Sequence, residues 1–263
     1  MRLSFPFQIR KRQKIIITSA ILSFGLLSTQ LVPFYLTYRF IIGLAVLACL
    51  LTMAALWEWL NKSKAVVLVI LPTFFTLAVA SYYFLLPIRW ITRISVASLF
   101  GLTFYTLLLS QNVFNVAAIR TIPLYRVAST TVFVLTLITS YLLFNVLFSF
   151  DLPFIWNGVG AFIISFPLIL QVIWSIDMEG LSGIVWVYSS ILSLVVGEVA
   201  LVLSFWPLAN PMAALVLSTM LFVTMGISTH ALRERLSRGM VWEYLGWGVL
   251  IFLVATLTTS WTG

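Results

Sequence analysis

Long apolar runs, each closed by a short polar cluster, fill this chain almost from end to end; they lie at 15-32, 40-60, 66-86, 94-117, 128-149, 154-176, 184-206, 212-230 and 241-261. A helix needs about 20 residues to cross the hydrocarbon of a bilayer, so every run is long enough for one crossing. The runs are continuously apolar, whereas barrel strands alternate and last only about 10 residues. The pattern therefore predicts an all-α fold, a polytopic transmembrane helix bundle of about nine spans, with residues 1-263 forming a single integral membrane domain. Turn formers in NKSK, DMEGLSG and PLANP mark short connections. Pro72 and Pro167 fall inside the third and sixth runs and predict kinks there.

Composition supports the same class. Hydrophobic residues make up 62% of the chain and charged residues 8%, against about 25% charged in soluble domains. Trp57, Trp59, Trp90, Trp156, Trp174, Trp186, Trp206, Trp242 and Trp261 lie near run ends, as interfacial belts require, and only Trp247 lies well inside. The opening MRLSFPFQIRKRQK and the apolar residues after it imitate a secretory signal. STQLVPF offers no small-residue cleavage site, so the segment is read as a retained first helix.

Charge gives the direction. With the N-terminus cytoplasmic, twelve of the 15 basic residues fall inside; only Arg39, Arg89 and Arg93 fall outside. Removing one late span would break that partition, so the odd count is favoured, with the C-terminus outside. The expected location is the cytoplasmic (inner) membrane. The net charge of +8 sits in short connections beside apolar runs. It reads as attraction to anionic lipid head groups at the cytoplasmic face, not to nucleic acid.

The motif search mostly excludes. All four lysines lie outside the runs, so a Schiff-base lysine at the midplane is ruled out. His230 is the only histidine and Cys49 the only cysteine, so no paired-histidine or thiolate metal site can be built. Ser228 and His230 are two apart on one helix and point away from each other, which argues against a serine protease. Asp151 and Asp177 fall on opposite faces, leaving no clustered aspartates for magnesium. No glycine-rich phosphate loop precedes a lysine. No catalytic residue, metal or cofactor is expected.

Three polar features carry a desolvation cost. Glu198 is the one ionisable group left in the hydrocarbon, near the middle of its run, and an intramembrane carboxyl is by default a candidate ion or proton site. Its own face, with Ile191, Leu194, Val195, Leu201 and Val202, is apolar, so the alternative is a protonated hydrogen bond to a neighbouring helix, with Asn145 or Gln171 as acceptor. About 120° away, Ser190, Ser193, Gly197, Ala200 and Ser204 form a seam of small residues suited to close helix packing. Gln111, Asn112 and Asn115 end the fourth run, with Arg120 and Arg126 just beyond. Amides beside forked guanidinium donors suit a phosphate or lipid head group, while amides that glue helices and arginines that snorkel are the alternative.

The sequence favours a non-enzymatic membrane component, either a scaffold or a lipid-binding subunit, with membrane lipids and membrane proteins as partners. A small transporter or channel using Glu198 is the alternative. An intramembrane enzyme on a lipid-linked substrate comes last, for want of acid, base and metal groups.

Overall fold

The structure, a computed structural model, describes residues 11–29, 34–57, 62–87, 89–117, 124–178 and 180–259. These residues form nine α-helices and no strand: α1 (Lys11–Thr29), α2 (Thr37–Leu56), α3 (Lys62–Tyr83), α4 (Trp90–Ala117), α5 (Tyr125–Phe148), α6 (Phe154–Asp177), α7 (Gly183–Leu203), α8 (Asn210–Leu232) and α9 (Arg238–Thr258). The helical bundle expected from the apolar runs is the observed architecture. Eight of the helices, α2 to α9, are long and apolar enough to cross a membrane. The first falls short because Lys11, Arg12, Gln13 and Lys14 occupy its first turn, and Thr18, Ser19 and Ser23 follow.

Helix boundaries depart from the apolar runs for local reasons. Upstream, α1 starts at Lys11 and α4 at Trp90, because Lys, Arg and Gln favour helix and do not end it where the hydrocarbon ends. Downstream, α7 stops at Leu203, since Pro207 closes the segment and the residue before a proline is pushed out of the helical region. Ser182 and Ser237 cap α7 and α9 by accepting the N–H groups of Val185 and Met240. Met178 ends α6 with φ 54°, a left-handed cap whose N–H reaches Trp174 O at 3.0 Å.

Packing joins each helix to its sequence neighbour, and one cluster of buried apolar side chains extends from Ile15 in α1 to Ala255 in α9. The most extensive pairing is between α6 and α7. It is antiparallel: Phe154 meets Phe205, Asn157 meets Ser204, and Phe166 meets Trp186. At its centre the two backbones touch. A Cβ on Gly197 would lie 2.9 Å from Gly158 O, and one on Gly158 would lie 3.2 Å from Gly197 O. Both glycines are there because any side chain would force the helices apart.

Both prolines lie inside their helices. The ring of Pro72 crowds the preceding turn of α3 and removes a donor. Immediately before it, the N–H of Leu71 donates to Gln171 Oε1 of α6 at 2.8 Å. Thus a polar side chain of one proline-bearing helix supports the weak point of another.

The helices carry a common polarity of charge. The ends of α2, α4, α6 and α8 meet the starts of α5 and α9 at one end of the bundle, shown by Asn115 to Leu56, Phe114 to Tyr125, Tyr125 to Ser175 and His230 to Tyr244. Arg126, Arg233, Arg235 and Arg238 belong to these segments, whereas Arg39, Arg89 and Arg93 stand at the starts of α2 and α4, at the opposite end.

Candidate functional site

At the end that carries Arg126 and Arg233, α5 brings Ser129 and Thr130 one turn in, α6 brings Ser175 from its last turn, α8 brings Thr229 and His230 from its last turn with Arg233 just beyond, and α9 brings Tyr244 up beside them. Together with Val132, Phe133 and Val172 they line a cavity of about 210 Å³. At about 30 Å³ per water molecule, that volume accommodates a small polar group of several heavy atoms.

The wall is built by hydrogen bonds between helices. Tyr125 donates its hydroxyl proton to Ser175 O at 2.6 Å. The Tyr125 hydroxyl oxygen in turn accepts from Arg233 Nη2 at 3.1 Å, and Nη2 also approaches Ser129 Oγ at 3.5 Å. The guanidinium lies 5.9 Å from the centre of the Tyr125 ring, close enough for a cation–π contribution. These contacts hold Arg233 through one nitrogen. Its Nε and Nη1 hydrogens make no bond among the described residues, and no carboxylate there lies within ion-pair range of it. Arginine carries five donors in a planar fork, so the unused ones remain for an anion. Among the described residues no Asp or Glu lines the cavity; Asp177, Glu234 and Glu243 are at the same end but exposed.

The His230 ring lies 6.0 Å from Tyr244, which is tucked against the α8 backbone at Gly226. A Cβ on Gly226 would overlap the Tyr244 ring. Glycine at that position sets the depth of the tyrosine, and so one side of the cavity.

The residues singled out in the sequence are placed elsewhere. Gln111 and Asn115 are fully buried in α4 and Asn112 is half-buried. Asn115 Nδ2 donates to Leu56 O at the end of α2 at 3.0 Å, while both amide atoms of Gln111 lack a protein partner among the described residues. Arg126 is exposed and lines no described part of the cavity. Arg120 lies outside the described residues.

Glu198 is exposed, on the same outward face of α7 as Ile191, Leu194 and Val202. It makes no hydrogen bond among the described residues, and Gln171 Oε1 is engaged with Leu71. Since α7 ends at Leu203, Glu198 lies about 7.5 Å from that helix end, at 1.5 Å per residue.

In the small-residue seam, Ser193, Gly197 and Ala200 are buried, and Ser190 and Ser204 are half-buried. Ser204 Oγ accepts from Asn157 Nδ2 of α6 at 3.1 Å. Among the described residues no three His, Cys, Asp or Glu side chains gather as a metal cluster would.

Sequence reasoning missed the cavity because its lining is drawn from four helices. Ser129, Ser175, Thr229, His230 and Arg233 share only a depth, the same end of the bundle, and that common depth was the available signal.

A protein family described as a protein of unknown function (DUF5656) matches residues 17–258 of the chain. No curated protein and no solved structure matches it.

Proposed function

The chain belongs to the DUF5656 family, matched from within α1 to the end of α9, and from that premise we propose a multi-pass membrane component, non-enzymatic, that holds anionic lipid at its cytoplasmic face. The observation that carries this reading is the cavity where Arg233 offers unused donors, beside His230 and Ser129, with no acidic side chain among the described residues of the wall. A phosphate or carboxylate there gains a charge-assisted, two-pronged contact. Polar groups at the mouth and apolar ones behind match the interfacial depth of a lipid head group. Glu198, facing outward on an apolar strip with no hydrogen-bond partner among the described residues, gives a transport reading no polar path to build on.

The test is thermal unfolding of the purified chain in nanodiscs of phosphatidylcholine with and without phosphatidylglycerol. Binding to the folded state stabilises by mass action, so the anionic lipid should raise Tm. Arg233→Gln should weaken that effect by about 1 kcal/mol, and Arg126→Ala should weaken it less. Equal Tm in both lipids, unaltered by Arg233→Gln, would refute the reading.

A further inference from the structure

A second, separate cavity lies deeper on the same face of the bundle. Going down α5 from Ser129, the next residues on that side are Phe133 and Leu137; going down α8 from His230 they are Phe222, Thr219 and Ser218; going into α9 from Tyr244 they are Trp247 and Ile251. Leu137, Ser218, Thr219, Phe222, Trp247 and Ile251 line a second cavity of about 290 Å³, almost wholly apolar. Aromatic side chains pack between the two. Phe133 lies 6.0 Å from Phe222, and Phe222 lies 5.0 Å from Tyr244. Phe133 and Tyr244 line the polar cavity, and Phe222 the apolar one.

Three helices thus carry one gradient, charged and hydroxylated at the bundle end and apolar further in. From Ser129 to Leu137 the drop along α5 is about 12 Å, at 1.5 Å per residue. Half the hydrocarbon is about 15 Å thick, so the apolar cavity reaches nearly to the midplane. Ordinary lipid-facing surface needs no such match between head-group depth and a recess below it.

We infer that the α5–α8–α9 face is a site for a single anionic phospholipid, its phosphate on Arg233 beside His230 and Ser129, one acyl chain descending past Phe222 to Trp247 and Ile251. The inference rests on the head-group reading above and adds to it the occupant's tail. Charge selects the lipid at the mouth, and Gly226 permits the path: without a side chain there, the Tyr244 ring stays against α8 instead of standing in the groove. Ile251 also lines a neighbouring apolar groove with Val199, Val216 and Phe252, so bulk at that position acts on the tail and not on the phosphate.

Trp247 allows a direct measurement, because bromine on an acyl chain quenches indole fluorescence on contact. The full chain in detergent micelles is titrated with brominated phosphatidylglycerol, brominated phosphatidylcholine and glycerol 1-phosphate. Brominated phosphatidylglycerol should quench at several-fold lower concentration than brominated phosphatidylcholine. The saturable part of that quenching should disappear in Trp247→Phe, and Arg233→Gln should raise the half-saturating concentration about five-fold. Ile251→Trp should weaken phosphatidylglycerol binding, measured by native mass spectrometry, and leave any glycerol 1-phosphate binding unchanged. If glycerol 1-phosphate competes as well as the lipid, and Ile251→Trp has no effect, the cavity takes a small anion; the tail path is then wrong while the Arg233 site stands. If the two brominated lipids quench alike and Arg233→Gln changes nothing, both the path and the head-group reading fall.

Discussion

Gln171 shows how much a single polar side chain can carry in an apolar bundle. Its Oε1 accepts the N–H of Leu71 beside Pro72, a donor that hydrocarbon could not satisfy. Gln171→Leu should therefore destabilise the fold by about 1 to 2 kcal/mol, since the backbone donor is left buried and unpaired. Gln171→Glu, protonated in that setting, should recover part of the loss because an acceptor oxygen remains. Thermal unfolding in detergent reads both; equal stability of Gln171→Leu and the unsubstituted chain would mean that the bond is not worth its apparent geometry. Glu198 is the converse case. Exposed and without a hydrogen-bond partner among the described residues, it should tolerate Glu198→Gln with a change in unfolding free energy within about 0.5 kcal/mol, the ordinary range for a surface substitution. A larger loss would reveal a contact supplied by another molecule. Gln171 and Glu198 were both conspicuous in the sequence as polar letters in apolar runs. What could not be read there was orientation: one points into α3 and the other away from the bundle, a difference set by which neighbours surround each helix.

Helix by helix, the sequence was informative where hydropathy alone decides. The sixth run, 154-176, differs from α6 (Phe154–Asp177) by one residue at its end, because a Pro153 start and a left-handed Met178 stop coincide with the edges of the apolar stretch. It was less informative at the ligand-sized cavity. Arg126 looked like the partner of the α4 amides because it is near them in the chain, yet the guanidinium that faces a polar cavity is Arg233, more than a hundred residues further on. Periodicity describes one helix at a time and carries no information on which helix ends share a corner. The small-residue row of α7 illustrates what periodicity can carry. Gly197 lies against Gly158 O, so Gly197→Leu should cost more than about 3 kcal/mol, beyond the usual overpacking range, since backbone and not a movable side chain is in the way. Leu201→Ala, which removes atoms from the same contact, should cost less. Circular dichroism melts of the two variants in one detergent check the order, and equal Tm values would place the close approach elsewhere.

For the molecule as a whole, topology turns on α1, the helix whose basic first turn keeps it below the apolarity of the other eight. Its packing is nevertheless that of a crossing helix. Ser23 donates to Ala97 O at 2.6 Å, early in α4, and a Cβ on Gly25 would meet Leu44 early in α2, while Ile16 is grouped with Tyr105 further along α4. These pairs run in opposite order along α1 and α4, so the C-terminal part of α1 lies at the end of the bundle that carries Arg39, Arg89 and Arg93. Its basic first turn then lies at the end that carries Arg126 and Arg233; the partition of twelve basic residues against three expected from the sequence requires that all nine helices cross together. Loss of α1 from the membrane would change the parity. A reporter fused after Gly263 should accordingly read outside and one between Lys62 and Lys64 inside. Replacing Lys11, Arg12 and Lys14 with Gln should weaken the inside hold on α1 while leaving α2 to α9 anchored by Arg126, Arg233, Arg235 and Arg238. The Lys62–Lys64 reporter should therefore stay inside in that variant, because late arginines in short connections still oppose inversion. A C-terminal reporter that reads inside in the unsubstituted chain would leave eight crossings, with α1 lying on the cytoplasmic surface, and would place the N- and C-termini on the same side.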